Sequence, residues 1–175
     1  MRVALLLSAL SAITTSSAMP WNTTATISTF TENFQPYETP SANRQIPVAM
    51  MKCMGDKFEK LNYLGAKNNM IDWSATGGAV MPGAYHSESF PDNRFGVTWY
   101  ICNCKYFHKD KAPRWELDEV QRLLEEKCGE WQSGWVWSKK WEKGFNVVPT
   151  DWLRYKLEDG KDICPPHCFN DVGIW

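Results

Sequence analysis

Phe95-Gly96-Val97-Thr98-Trp99-Tyr100-Ile101-Cys102-Asn103-Cys104-Lys105-Tyr106-Phe107 is the stretch whose reading decides the fold. In an extended chain successive side chains leave opposite faces, so Val97, Trp99 and Ile101 point one way while Tyr100, Cys102 and Cys104 point the other. Both sets are largely apolar, which suits an inner strand covered on both sides. Downstream, Pro113 fits a first helical turn, and Glu116, Asp118 and Glu119 favour the positive N-terminal end. Leu117, Val120, Leu124 and Cys128 recur at helical spacing, and Gly129 supplies a stop. The spacing therefore predicts a helix over residues 113–128. Further on, Gly134–Trp141 alternates as a strand, with Trp135, Trp137, Lys139 and Trp141 on one face. Trp152–Leu157 reads as another strand, and Asp159-Gly160 as a hairpin turn leading to Asp162–Cys164.

Upstream of the central stretch, Pro47–Met54 reads as a first strand carrying Cys53. Asp56–Leu64 reads as a short helix with Phe58 and Leu61 on its apolar side, ending at Gly65. Gly77-Gly78 and Pro82-Gly83 mark turns. These readings predict an α+β fold, a small disulfide-stabilised antiparallel sheet packed against one main helix.

The N-terminus carries an address. Met1-Arg2 is a short basic start, Val3–Leu10 an apolar run, and Ser16 and Ala18 small residues at the −3 and −1 positions of a cleavage site. This is the layout of a secretory signal peptide over residues 1–18, with an apolar run too short to anchor the chain in a bilayer. Residues 19–46 are rich in Thr, Ser, Asn and Pro and read as a flexible leader, with Asn22-Thr23-Thr24 as an N-glycosylation acceptor. A single globular domain over 47–175 follows. The expectation is a secreted, extracellular monomer.

Secretion changes how the cysteines read. Cys53, Cys102, Cys104, Cys128, Cys164 and Cys168 are even in number and all follow the signal, which points to disulfides. A zinc site could be assembled from Cys102, Cys104 and His108, or from Cys164, His167 and Cys168. The oxidising route out of the cell favours cystines instead, and no metal or other cofactor is expected. Cys102 and Cys104 leave one face of a strand, so they are poorly placed to pair with each other and go to different partners. Cys128, at a helix end, is the favoured partner for one of them. The full connectivity stays open.

Of 175 residues, 43% are hydrophobic and ten are Trp, with 19 basic against 20 acidic residues. Removal of residues 1–18 takes away only Arg2, which leaves a formal net charge of −2. A near-neutral chain is a poor nucleic-acid binder by bulk charge. No stretch of membrane-spanning length follows the signal, and the mean hydropathy is −0.44.

Catalytic motifs are missing: there is no G-x-S-x-G elbow, H-E-x-x-H pair or phosphate-binding glycine loop. The strongest fragment is His86 with Glu88, two apart and so on one face if extended. With His167 as a second acid and Arg94 or Arg154 on a phosphate, it would suit a ribonuclease. The tryptophans suggest instead a stacking platform for sugar rings, with Trp135, Trp137 and Trp141 sharing a face around Lys139. The competing reading packs that row on Leu117, Val120 and Leu124. Lys139, Lys140 and Lys143 make a basic spot beside Trp141 that reads as a solvated strand edge.

The signal, the Ser/Thr-rich leader, six Cys and a Trp-rich domain together resemble the small secreted cysteine-rich proteins of filamentous fungi, many of them candidate effectors. Tyr100-Ile101-Cys102 is similar to the Y-x-C motif of powdery-mildew ribonuclease-like effectors, although there it follows the signal directly and here it lies far downstream. The resemblance implies a virulence-type protein that binds a host macromolecule without catalysis. Two alternatives stand beside it, a secreted binder of cell-wall glycan and a ribonuclease-like toxin. The expected partner is accordingly a host protein or a cell-wall glycan.

Overall fold

A computed structural model describes residues 45–164 and Cys168. The signal, the leader up to residue 44, Asn22 and His167 lie outside the described residues. Eight elements follow one another: β1 (Met50–Lys57), α1 (Lys60–Ala75), β2 (Ala84–Phe90), β3 (Val97–Asn103), α2 (Arg114–Cys128), β4 (Gln132–Ser138), β5 (Lys143–Pro149) and α3 (Thr150–Glu158). The strands form one antiparallel sheet in the order β1-β4-β5-β3-β2. The fold is α+β, with three helices rather than one main helix.

The alternation of β3 holds at every position. Val97, Trp99 and Ile101 pack into the core under α1 and α2, together with Leu117, Val120, Leu124 and Val136. Tyr100 and Cys102 face a second, smaller core completed by Trp137, Val148, Leu153, Cys164 and Cys168. β3 is buried throughout because both faces are covered. Its inner neighbour β5 lies at the centre of the sheet: Phe145 and Val147 pair with Ile101 and Trp99 on the helix face, and Gly144 pairs with Cys102 on the other. Sequence reading does not pick out β5, because Gly144 and Asn146 are poor strand formers and tertiary burial overrides that preference.

Three local expectations are corrected. Residues 56 and 57 continue β1, and the helix that follows runs through Gly65 to Ala75. Its buried stripe is Tyr63, Ala66, Lys67, Met70, Ile71 and Ser74, a helical spacing hidden in the sequence by its small and charged members, while Leu61 is exposed. Gly65 serves packing rather than termination: a Cβ there would lie 2.4 Å from the Phe90 ring. Trp152–Leu157 belongs to α3, not to a strand. Pro149 stands at its N-cap and Leu153 is the buried anchor, so Asp159-Gly160 is a helix exit. Ile46, where the composition turns globular, is buried in the main core.

α2 ends as expected, at Gly129 with φ of 98°. It lies close over β4 because Gly134 has no side chain; a Cβ there would meet Leu124 at 2.8 Å. Both sheet edges are partly closed by helix side chains. Lys127 Nζ donates to Met51 O on β1 at 2.7 Å, and Asn69 Nδ2 donates to Ser89 O on β2 at 3.0 Å.

All six cysteines are in disulfides: Cys53–Cys128, Cys102–Cys164 and Cys104–Cys168. Cys102 and Cys104 do take different partners, as their shared face requires. Cys128 binds Cys53 instead of either of them, because α2 returns its C-terminus beside β1 while the chain after α3 crosses the other sheet face. Among the described residues no helix is long and apolar enough to cross a membrane. A cystine-framed chain of this kind is consistent with an extracellular protein.

Candidate functional site

His86 and Glu88 stand on the edge strand β2, opposite Ile101 and Trp99 and so on the helix face. Their shared parity brings His86 Nε2 within 2.8 Å of Glu88 Oε1. The imidazole also stacks on Trp73 of α1, with centroids 3.6 Å apart and planes 10° apart. The imidazole is thus held between a helix indole and a strand carboxylate. A general base needs a free nitrogen aimed at substrate and a partner acid. Here the nearby groups clamp the ring into the α1–β2 contact. The two arginines of the ribonuclease reading are also engaged, Arg154 with Asp92 Oδ1 at 3.0 Å and Arg94 over the Phe95 ring at 4.6 Å. His108 lies in the exposed loop after β3, and His167 is outside the described residues.

The tryptophan row does not make one platform. The β4–β5 register sets Val136, not the tryptophans, on the face that packs against α2. Trp135 and Trp137 face the second core, where Trp137 is only 4% exposed. Trp141 lies beyond the strand, in the turn before β5, half-buried with its ring edge-on to Trp115 at 5.8 Å. Lys139 and Lys140 are exposed in the same turn. Lys143, expected at a solvated edge, is 1% exposed. Its ammonium donates to Glu116 Oε2 at 2.6 Å, to Asp110 Oδ1 at 3.1 Å and to the Lys111 carbonyl. Burial raises the Glu116 carboxyl above its ordinary range, against the opposing pull of Lys143.

That buried cluster anchors a loop that sequence reading assigns to the end of a strand. After Asn103 the chain leaves the sheet, and the loop closes at Asp110, which makes an isolated antiparallel bridge to Val80. Asn103 holds the loop from inside: its Nδ2 donates to Val80 O at 3.0 Å and to His108 O at 2.7 Å, and its Oδ1 accepts from Lys105 N at 3.0 Å. Lys105 Nζ reaches Asp110 Oδ2 at 2.5 Å, and Cys104 is tied to Cys168. At the tip, Tyr106 and Phe107 are 64% and 78% exposed, with their rings edge-to-face at 4.5 Å. His108, Lys109 and Lys111, the basic and polar residues that follow in the loop, are exposed, and so is Met81, next to Val80. The sequence signal was present as a run of aromatics continuing past the last buried strand position. Its outward aim depends on the Asn103 and Lys143 contacts, which spacing does not reveal.

Among the described residues no group of three or more His, Cys, Asp or Glu is placed to hold a metal ion. Compared with known proteins, the chain matches no family model, no curated protein and no solved structure.

Proposed function

We propose that this is a secreted, non-catalytic binding protein of the effector type, which holds a host macromolecule through the Tyr106–Phe107 tip. The observation that carries the reading is the exposure of two adjacent aromatic rings on a loop fastened from below by a disulfide, an asparagine and a buried lysine cluster. Exposed aromatics cost solubility, and binding interfaces draw most of their energy from such side chains. A tip already fixed in place loses little freedom on binding. The export signal and the cystine framework supply the setting.

The test has two parts. Purified protein incubated with RNA, peptide and glycan substrates should give no turnover above buffer; turnover lost in His86→Ala would favour the toxin reading instead. Binding of labelled protein to host-cell extract should be saturable and should fall about tenfold or more in the Tyr106→Ala/Phe107→Ala double variant. An unchanged thermal midpoint in that variant would exclude misfolding as the cause.

A further inference from the structure

We infer that the cleft between β2 and α3 binds an uncharged, polyhydroxylated ligand, one or two sugar units of a neutral glycan. It lies at the opposite end of β3 from the aromatic tip, and the inference does not rest on that tip. The cleft has a volume of about 440 Å³, within the usual range of small-ligand sites.

Its polar wall is a row of hydroxyls that the sheet register sets side by side. Ser89 is opposite Thr98 across β2–β3, and Thr150 opens α3 directly after β5. Ser89 Oγ is 2.7 Å from Thr98 Oγ1, which is 2.9 Å from Thr150 Oγ1. Either partner of each bond can be the donor, so the row can run in either direction and present a donor or an acceptor at its Ser89 end. Ser87 lies on the same face one strand repeat away and also lines the cleft. Ligand hydroxyls have the same dual character. Leu153 and Leu157 of α3 give the cleft an apolar side against which the C–H face of a sugar ring can lie.

The charged groups narrow the ligand class. Glu88 and Asp92 set two carboxylates against the single guanidinium of Arg154, a balance that disfavours phosphate or another anion. The carboxylates already have partners, Glu88 in His86 and Asp92 in Arg154, so the cleft offers an ammonium little net charge. A wholly apolar ligand would strip water from the rim charges and from Ser87 and Ser89 and put nothing polar in its place. The Asp92–Arg154 pair at the rim is the adaptable part, with side chains 83% and 50% exposed. Turning toward a sugar, the carboxylate accepts from its hydroxyls and the guanidinium donates to its oxygens.

The test is calorimetric titration of the full secreted chain with soluble oligomers of chitin, β-glucan, xylan and mannan, with inorganic phosphate as the anionic probe. The expected result is saturable binding of at least one oligomer, weakened about tenfold or more by Asp92→Ala and by Arg154→Ala. Both residues are exposed, so their thermal midpoints should stay at that of the unaltered protein. Phe107→Ala should leave this binding unchanged, which separates the cleft from the tip. Three results would overturn the inference: failure of all four oligomers to bind at millimolar concentration, binding indifferent to both rim variants, or phosphate binding more tightly than any oligomer.

Discussion

Lys143 carries much of the molecule's organisation, because its ammonium is buried and joins the start of β5 to α2 and to the loop after β3. Removing one member of a buried ionic group usually costs about 3–5 kcal/mol, since its partners are left unpaired. For Lys143→Met we expect about 3 kcal/mol, the lower end. Glu116 can take up a proton, and Asp110 keeps Lys105. Urea unfolding midpoints check this. Glu116 gives a signed pH prediction. Its carboxyl is raised by burial, so the folded state holds that proton more tightly than the unfolded chain does. The resulting stability is fully present below the unfolded pKa of about 4.3 and fades as the pH rises through the higher folded value. The stability of the unaltered protein minus that of Glu116→Gln should therefore decline as pH rises above about 4.3. A difference that grows with pH would show that the Lys143 pairing outweighs burial. None of this was legible in the sequence. Lys143 reads there as one of three surface lysines, and only the close packing of three chain segments takes it out of water.

Elements with strong periodicity were legible, and elements built by packing were not. The alternation of β3 and the apolar stripe of α2 stand out in the sequence because each repeats one large residue type at the spacing of its backbone. β5 and α1 do not, because Gly144, Asn146, Ala66 and Lys67 gain their places only from what covers them. Gly65 shows the difference most simply. On helix propensity alone Ala would be better by about 1 kcal/mol. The Phe90 ring occupies the space a Cβ would need, so Gly65→Ala should instead destabilise by about 1–3 kcal/mol, measured by chemical denaturation. A stabilised variant would mean that β2 can shift away from α1 without cost. The Cys53–Cys128 bridge ties β1 to the end of α2 across a separation of 75 residues. The Cys53→Ser/Cys128→Ser variant should lose about 2–5 kcal/mol, and more of its protection from hydrogen exchange in β1 than in β3.

At the scale of the whole molecule, the sheet separates two surfaces. One end of β3 leads to the tethered aromatic tip and the other to the hydroxyl-lined cleft. The sequence reading quotes Tyr106 and Phe107 at the end of the central stretch, and it does not pick out β2 or its serines. Nor does it show where these stand, because the exit of the chain at Asn103 and the helical state of residues 150–158 decide that. The tryptophan row, more conspicuous in the sequence, is divided between the second core and a turn, and Trp137 is buried. We hold that the protein works by binding through its tip and not by catalysis. The most direct test is an equilibrium binding curve for the labelled protein on host-cell extract, run beside the Tyr106→Ala/Phe107→Ala variant. We predict saturable binding that weakens about tenfold or more in the variant at an unchanged thermal midpoint. Equal binding by the two proteins would contradict the claim.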